Sequence, residues 1–386
     1  MNIAMINPTK GHKTMIYDLA VNLAKKGHKI SILQPESTTR FFHFDTQKRE
    51  IDENIRIIKI PCVFLPKIRY TIPNFLKEYT VLSSLIDEGV DVVHIGEYFY
   101  PTVFPPLALK KRRNIPMVVC SDALVGISWK YSSVAVDWIA HTYTKTIGKS
   151  VLTRCDAAIF LYEALAHQAE SLHVLPHKIK VIPNGVDTEL FSNLDQAESR
   201  RILGIDSNEK VILSISRLVP VKGIETLIDV TRKLLQNGVA VKTYVVGGGP
   251  YRRSYEKKAA DLKDAFVFVG NVPYRDIPVL LSACDVFLLA SLSEGLPTVV
   301  LEAGACGKPV VASNVGGVPD IITHGESGFL VNPQDRNGFF TYVKMLLEDE
   351  SLAKKIASKL NNHVLEHFSW EKIVKKYEKI YEEIRT

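Results

Sequence analysis

The chain of 386 residues has no apolar stretch that approaches the about 20 residues needed to span a membrane as a helix. Its N-terminus, Met-Asn-Ile-Ala-Met-Ile-Asn-Pro, is typical of a short strand and lacks the basic region and long apolar core of a signal peptide. The five cysteines are an odd number at wide, irregular spacings, without a Cys-x-x-Cys pair. We therefore expect buried reduced thiols instead of disulfides or a zinc site, which indicates a cytoplasmic protein.

The chain also lacks a strong net charge of either sign. The 48 Lys and Arg residues oppose 42 Asp and Glu residues, which leaves a net charge of +6. The densest basic run, at residues 110–113, is typical of a helix C-terminus, where cations interact favourably with the helix dipole. No nucleic-acid recognition motif accompanies it, so we expect no nucleic-acid partner. Contact of this run with anionic membrane lipids is left open.

Two cofactor signatures are absent as well. No cluster of His, Asp or Glu has the spacing of metal ligands, and no Asp-x-Asp occurs near a predicted strand end. Three glycines at residues 247–249 follow a predicted strand, but Arg252 occupies the place where a dinucleotide fingerprint needs its third glycine. The sequence therefore predicts neither a metal ion nor a cofactor.

Short apolar runs and amphipathic segments alternate along the whole chain. This alternation predicts parallel α/β sheets covered by helices on both faces. A helix at about residues 13–26 follows the first strand, and Gly27 ends it. The second half repeats the pattern from a strand at residues 211–216. The strands predicted in the first half are residues 2–7, 28–33, 55–61, 91–95, 116–121, 157–161 and 178–183.

A polar, irregular stretch at residues 184–209 interrupts this alternation and begins with an Asn-Gly turn. We therefore predict an N-terminal domain at residues 1–185 and a C-terminal domain at residues 186–368. The last segment, residues 369–386, carries apolar side chains along one face of a helix. Such a stripe needs a groove in which to be buried.

The most informative stretch is residues 293–304, Ser-Glu-Gly-Leu-Pro-Thr-Val-Val-Leu-Glu-Ala-Gly. A buried strand at residues 285–290 precedes it, and a helix is expected at about residues 298–306 with Pro297 at its first position. The unpaired N–H groups and the positive dipole end of such a helix form an anion site at the strand ends.

Two glutamates flank this anion site. Glu294 is expected at its rim and Glu302 about one turn inside the helix. Each glutamate alone is better explained as an ordinary residue, Glu294 as a solvated loop residue and Glu302 as a helix-surface glutamate. Together they suit a ligand with hydroxyl groups at both ends and phosphate in the middle, because one carboxylate can accept hydrogen bonds from two hydroxyl groups. A sugar nucleotide has this layout.

This stretch resembles the retaining glycosyltransferases of family 4, whose hallmark is two glutamates separated by seven residues. The resemblance implies the GT-B fold, in which two Rossmann-like, doubly wound domains face each other across a cleft and the last helix returns to the first domain. The resemblance covers nearly all of the second half of the chain. The matching motifs are Val-Ile-Pro-Asn-Gly-Val-Asp at residues 181–187, Ser-Arg-Leu at 216–218, Lys-Gly at 222–223, Lys-Pro-Val-Val-Ala-Ser at 308–313, Gly-Gly at 316–317 and Gly-Glu-Ser-Gly-Phe-Leu-Val at 325–331.

The resemblance also implies an activity. The enzyme would move a sugar from a nucleotide-diphosphate sugar, a UDP- or GDP-sugar, to a hydroxyl group of a sugar, lipid or lipid-linked acceptor, without a metal ion. Arg217 and Lys222 would stabilise the departing diphosphate, Glu302 would bind the ribose hydroxyls and Glu294 the transferred sugar. The remaining donor-binding positions are Val272, Gly295, Leu296, Pro297, Thr298 and Val299.

In the first half the family pattern is less complete. Gly11, after the first predicted strand, stands where the family usually has two glycines close to the donor phosphate. Asp122 takes the place of a family histidine that faces the sugar. A carboxylate there either binds a sugar hydroxyl or accepts the acceptor's proton, and a turn or N-cap aspartate is the alternative. Glu97 is a candidate to touch the acceptor, whereas His94 is expected to be structural.

Three functions stay open at this point: a retaining glycosyltransferase, a non-transferase of the same fold such as an epimerase or a phosphorylase, and a sugar-nucleotide-binding protein without activity. The two glutamates together with Arg217 and Lys222 favour the first. Asp122 in place of the histidine is the only support for the third.

A segment at residues 127–154 combines aromatic and apolar side chains with the cations Lys145, Lys149 and Arg154. It predicts an amphipathic helix, for which two positions are open. Trp138 and the residues beside it either pack on their own sheet or lie on an anionic membrane surface at the inner face of a membrane.

Overall fold

The computed structural model describes residues 1–8, 15–36, 53–65, 70–128 and 133–385. The chain forms two compact units. Unit 1 comprises Met1–Asn184 and Ile373–Thr386, and unit 2 comprises Gly185–Lys372. Each unit is built on one sheet with its own buried core.

Within the described residues, the sheet of unit 1 contains eight strands. They are β1 (Asn2–Ile6), β2 (Lys29–Glu36), β3 (Ile55–Leu65), β4 (Tyr70–Pro73), β5 (Val92–Ile95), β6 (Met117–Ser121), β7 (Ala157–Phe160) and β8 (Ile179–Val181). Their order is β4-β3-β2-β1-β5-β6-β7-β8, and only the β3–β4 pair is antiparallel. All seven predicted strands are present with slightly different ends, because continuous apolar runs mark strands that are buried on both faces. The predictions missed β4, whose four residues end in proline and carry little pattern.

The helices of unit 1 connect these strands. They are α1 (Met15–Ala24), α2 (Phe75–Asp87), α3 (Phe104–Arg113), α4 (Val134–Tyr143), α5 (Lys149–Arg154) and α6 (Glu163–Glu170). A π-helical turn at Thr144–Gly148 joins α4 to α5. The basic run at residues 110–113 forms the last turn of α3, as predicted, and Asn114 ends that helix with a φ of 49°.

The sheet of unit 2 has six strands, and all neighbouring pairs are parallel. They are β9 (Lys210–Ile215), β10 (Val241–Val246), β11 (Phe266–Gly270), β12 (Val286–Leu289), β13 (Val310–Ser313) and β14 (Phe329–Val331). Their order is β11-β10-β9-β12-β13-β14. The order reverses between β9 and β12, and open parallel sheets bind ligands outside the carboxyl ends of the strands at such a point.

The helices of unit 2 cover both faces of its sheet. They are α7 (Gln196–Leu203), α8 (Ile224–Gln236), α9 (Arg252–Lys258), α10 (Ile277–Ala283), α11 (Thr298–Ala305), α12 (Val318–Ile321), α13 (Arg336–Glu348) and α14 (Glu350–His367). The core packs the apolar faces of α8 and α13 against the strands. The predicted helix at residues 298–306 corresponds to α11.

The last helix, α15 (Trp370–Arg385), belongs to unit 1 from Ile373 onwards. Its predicted apolar stripe is buried there, as Tyr377 and Tyr381 are 1% and 0% exposed. Tyr381 lies 2.6 Å from Nδ1 of the fully buried His94, and burial lowers the pKa of His94 to about 3. His94 is therefore a neutral core residue, which confirms the structural role expected for it.

No helix in the described part of the chain is both long and apolar enough to cross a membrane. The cysteines form no disulfide among these residues, and four of the five are buried. Burial raises the pKa of the Cys155, Cys284 and Cys306 thiols to about 12, so these side chains stay protonated. The expectation of buried reduced thiols is confirmed for these three residues.

Candidate functional site

The carboxyl ends of β9 and β12 lie side by side at the point where the strand order of unit 2 reverses. The chain after β9 carries Arg217 and Lys222, and the chain after β12 carries Glu294. The topology therefore brings these three predicted site residues to one edge of the sheet, from positions that are far apart in the sequence.

Lys222 and Glu294 form a direct ion pair at this edge. The Lys222 ammonium donates to both carboxylate oxygens of Glu294, at 2.7 Å and 2.8 Å. The Ser291 hydroxyl adds a third hydrogen bond to Glu294, at 2.6 Å. The two side chains are only 18% and 9% exposed, so their attraction is screened less than that of a surface pair. Glu294 is therefore fixed in position, and the alternative of a solvated loop residue is wrong.

Backbone contacts explain why the two loops meet. The Leu292 N–H donates to the Val221 carbonyl at 2.7 Å and joins the turn of Lys222 to the chain after β12. Gly223 follows with a φ of +63°, and a Cβ there would lie 1.9 Å from the Ala290 carbonyl oxygen. Only glycine allows this approach, because any side chain would push the turn of Lys222 away from the end of β12.

A second glycine turn supports Glu294 from the opposite side. The Gly317 N–H donates to the Gly295 carbonyl at 2.7 Å. Gly316 has a φ of +55°, and a Cβ there would lie 2.1 Å from the Glu294 carbonyl oxygen. The loop after β13 thus holds the backbone of the Glu294 turn, which gives a physical reason for the Gly-Gly pair of the sequence.

Helix α11 begins at Thr298, as predicted. Pro297 is its N-cap with φ −75° and ψ 106°, so the placement of Pro297 at the first helical position is wrong. No side chain caps the helix, which leaves the N–H groups of Thr298 and Val299 at its start without a capping partner. The helix start keeps the character of an anion site beside Glu294.

Glu302 lies on α11 and is only 4% exposed. The Tyr274 hydroxyl donates to its Oε1 atom at 2.9 Å, and the ring of Phe191 packs edge-to-face against Tyr274 at 5.2 Å. The alternative of an ordinary surface glutamate is therefore wrong. Tyr274 is a functional candidate that the sequence reasoning missed, although its place directly after β11 is a usable signal.

Arg217 and Val272 follow β9 and β11 at the same edge, exposed and half-buried respectively. The glycines at residues 247–249 support the Arg217 segment, since the Leu218 N–H donates to the Gly248 carbonyl at 2.9 Å. A Cβ at Gly249 would lie 2.4 Å from the Leu218 carbonyl oxygen. The glycine run therefore has a structural role, as expected, and it lacks the dinucleotide fingerprint.

In unit 1 the ends of β5 and β6 bring Glu97 and Asp122 together. The Asp122 N–H donates to Glu97 Oε2 at 3.2 Å, and the Ser121 hydroxyl donates to Glu97 Oε1 at 2.8 Å. Glu97 is 6% exposed, whereas the Asp122 side chain is exposed. The N-cap alternative for Asp122 is wrong, because the next helix begins at Val134 with Ser133 as its N-cap. Gly11 lies outside the described residues.

Helix α4 contains no buried residue. Val134, Trp138 and Ile139 are 89%, 68% and 61% exposed. The alternative that Trp138 and Ile139 pack on their own sheet is therefore wrong. The aromatic residues predicted just before this helix, at positions 129 and 131, lie outside the described residues.

Among the residues that the structure describes, no group of three or more His, Cys, Asp or Glu side chains is placed to hold a metal ion. The positive charge at the edge of the unit 2 sheet comes from Lys222, from Arg217 and from the start of α11. Two cations and a helix dipole can bind a dianionic group without further help.

Comparison with known proteins gives consistent matches over both units. Residues 9–190 match the family model of Glycosyltransferase Family 4, and residues 195–363 match that of Glycosyl transferases group 1. An uncharacterised glycosyltransferase of Methanocaldococcus jannaschii is 35% identical over 376 residues, which are 94% of this chain and 92% of the relative.

Two further relatives are informative. A GDP-mannose-dependent alpha-(1-6)-phosphatidylinositol monomannoside mannosyltransferase of Mycolicibacterium smegmatis is 30% identical over 317 residues, which are 78% of this chain and 80% of that protein. The structure of a sucrose-phosphate synthase from Thermosynechococcus elongatus superposes with a TM-score of 0.81 at 22% identity and covers 99% of this chain and 98% of its own.

The contact between Gly316 and the Glu294 backbone generates a prediction. Gly316→Ala should lower the free energy of unfolding by more than Gly325→Ala, because both positions have positive φ but only Gly316 meets a neighbouring carbonyl oxygen. The control change should cost about 1–2 kcal/mol through backbone strain alone. Denaturant unfolding of the two variants measures the difference, and equal losses would show that the turn is not held by this contact.

Proposed function

Because this chain belongs to the group 1 glycosyl transferases of family 4 and has the GT-B fold, we propose that it transfers a sugar from a nucleotide-diphosphate sugar to a hydroxyl group of an acceptor, with retention of configuration. The observation that carries the proposal is the Lys222–Glu294 pair beside the uncapped start of α11. The relative named as GDP-mannose-dependent supports a donor of this class.

The nucleoside end of the donor is assigned to Glu302. Its carboxylate has acceptor capacity for the two ribose hydroxyls, and the Tyr274 hydroxyl at 2.9 Å orients it. The base lies along the backbone at Val272, which carries little base-specific chemistry. This assignment leaves both UDP- and GDP-sugars as donors.

The diphosphate is assigned to the cations. Arg217 provides a planar fork for phosphate oxygens and Lys222 a mobile ammonium group, while Thr298 and Val299 contribute N–H groups at the start of α11. These charges are in place before the reaction, so they stabilise the negative charge that develops on the leaving diphosphate. We infer that no metal ion is needed for this step.

The transferred sugar is assigned to Glu294, with backbone contacts from Gly295, Leu296 and Pro297. The acceptor hydroxyl attacks the anomeric carbon from the face that the diphosphate leaves. The bond from the anomeric carbon to the diphosphate oxygen breaks, and the acceptor's proton passes to a diphosphate oxygen. In unit 1, Asp122 is assigned to the acceptor hydroxyl, from which it accepts a hydrogen bond.

A panel of sugar nucleotides tests this proposal, with a chelator present throughout. We expect hydrolysis or transfer of one UDP- or GDP-sugar. Recovery of an isomerised donor would identify an epimerase, and binding without turnover would identify an inactive binding protein. Activity that disappears with chelator and returns with magnesium would contradict the metal-free mechanism.

Glu302→Ala should weaken binding of the free nucleoside diphosphate. The ribose hydroxyls lose a charged acceptor worth about 1.5–3 kcal/mol, or about 10- to 150-fold in Kd. Calorimetry checks this, with Glu326→Ala as the control because Glu326 is an exposed glutamate of the same unit. Unchanged affinity in Glu302→Ala would remove Glu302 from the site.

We also propose that α4 places unit 1 on an anionic membrane surface, where a lipid or lipid-linked acceptor would be available. The exposed Val134, Trp138 and Ile139 supply apolar area at the start of the helix. The following turns to residue 154 carry Lys145, Lys149 and Arg154.

The charge of this surface favours anionic lipids. Asp137 is the only acid from residue 134 to residue 154, against three Lys and Arg residues. The basic run at residues 110–113 is less suited to this contact, since Lys110 is bound to Asp156 at 2.6 Å.

Vesicle co-sedimentation tests the membrane contact. Ile139→Ser should weaken binding to phosphatidylglycerol vesicles by about 10-fold or more, because inserting such a side chain contributes about 1.5–3 kcal/mol. Ile202→Ser is the matched control, since Ile202 is 60% exposed on unit 2. Binding should also fall with salt and on neutral vesicles. No binding to anionic vesicles at low salt would indicate a transferase that acts without this surface.

A further inference from the structure

We propose that Glu97 is a positioning residue, which holds the Asp122 carboxylate in place for the acceptor hydroxyl by sharing one proton with it. This inference rests on the proposed function, since it concerns the same transfer reaction. It goes beyond the family pattern, because the position that many members fill with a histidine is here one half of a carboxyl pair.

The two carboxyl groups come from neighbouring strands. β5 and β6 are paired in parallel, with Ile95 opposite Val119, so the residues that follow them lie side by side. The Asp122 N–H donates to Glu97 Oε2 at 3.2 Å. The two carboxyl groups also lie within hydrogen-bonding reach of each other. Two carboxylates can approach in this way only if one of them carries a proton, because two adjacent negative charges repel.

Glu97 is the group that carries the proton. It is 6% exposed, and in the described ranges no lysine, arginine or histidine pairs with it. Burial raises the pKa of Glu97 well above its usual range, and the charge of Asp122 raises it further. Asp122 is the more exposed of the two, but burial raises the pKa of this carboxyl group as well, and the hydrogen bond with Glu97 opposes that rise.

The other titratable groups around Glu97 do not change this assignment. Tyr98 and Cys120 are the neighbours that interact with it, and burial raises the pKa of both. Both are therefore neutral at physiological pH. No positive charge in the described residues offsets the cost of ionising Glu97, so a neutral carboxylic acid is its stable form.

The Glu97 carboxyl group is held by a fixed set of donors. Its Oε1 atom accepts from the Tyr98 N–H at 2.9 Å and from the Ser121 hydroxyl at 2.8 Å. The Tyr98 ring is anchored in turn, since its hydroxyl lies 2.8 Å from Thr144 Oγ1 and accepts from the Val125 N–H. We place the shared proton on Oε2, the atom on the Asp122 side.

A neutral acid that donates to Asp122 has two effects. It fixes the rotation of the Asp122 side chain, which would otherwise sample several rotamers at an exposed position. It also opposes the rise that burial causes in the pKa of Asp122, which favours the ionised form that accepts a hydrogen bond from the acceptor hydroxyl. Glu97 is buried below Asp122 and acts through it, so the earlier expectation that Glu97 itself touches the acceptor is replaced by this indirect role.

The test compares Glu97→Gln with Glu97→Ala and Asp122→Asn in transfer assays over a range of pH. Glu97→Ala should lower kcat by about 10- to 100-fold, as misplaced reacting groups do, with an unchanged Kd for the nucleoside diphosphate. Glu97→Gln should lose clearly less, because its amide donates to Asp122 in the same place. In the wild type, activity should fall as the pH rises through the raised pKa of Glu97, since a second charge then develops beside Asp122. Glu97→Gln should lack this fall.

An infrared difference spectrum gives a readout that does not need activity. At neutral pH the wild type should show the band of a protonated carboxyl group that Glu97→Gln loses and Asp122→Asn keeps. Burial also raises the pKa of Glu78 to about 8, so Glu78→Gln is the control that identifies the band of that residue.

Either of two results would overturn the proposal: a band lost only in Asp122→Asn, or a Glu97→Gln variant as inactive as Glu97→Ala. If the wild type transfers no sugar while the band behaves as expected, the proposed function fails and the proton-sharing pair stands.

Discussion

The ion pair between Lys222 and Glu294 is the constraint on which the rest of the unit 2 site depends. Removing two charges from most of their water is costly, and the cost is offset here by two short hydrogen bonds within the pair and a third from Ser291. The geometry requires two loops to meet at the end of the sheet. Glycine at positions 223 and 316 makes that meeting sterically feasible.

The carboxyl groups of Glu294, Glu302 and Glu97 are stabilised in different ways. Glu294 is matched by a cation, Glu302 by the hydroxyl of Tyr274, and Glu97 by a proton that it shares with Asp122. A cation that already neutralises one carboxylate can be exchanged onto a phosphate group. The contacts of Glu294 and Glu302 fit the division of a sugar nucleotide into sugar, diphosphate and nucleoside.

Much of the fold was predictable because strands buried in a parallel sheet have continuous apolar sequences. Helix α11 was predictable from the strand and the turn that precede it. The glutamates were predictable from their spacing. The contact of Lys222 with Glu294 was not, because the two residues are 72 positions apart and meet through backbone packing of two turns.

The burial of individual side chains was also not predictable from the sequence. Glu97 and Asp122 are 25 residues apart, and nothing in the sequence states that one is buried and the other exposed. The same limit applies to α4, since the periodicity of an amphipathic helix does not reveal whether its apolar side chains are covered. Only the structure distinguishes a packed Trp138 from an exposed one.

Lys222 is assigned to the diphosphate and Glu294 to the transferred sugar. Calorimetric titration of Glu294→Gln with free nucleoside diphosphate, alongside its turnover, tests this division most directly. We expect the variant to bind the nucleoside diphosphate at least as tightly as the wild type, because Lys222 is released from its carboxylate partner, while turnover falls by about 100-fold or more. A fall in nucleoside diphosphate affinity that accompanies the loss of turnover would show that Glu294 itself supports diphosphate binding.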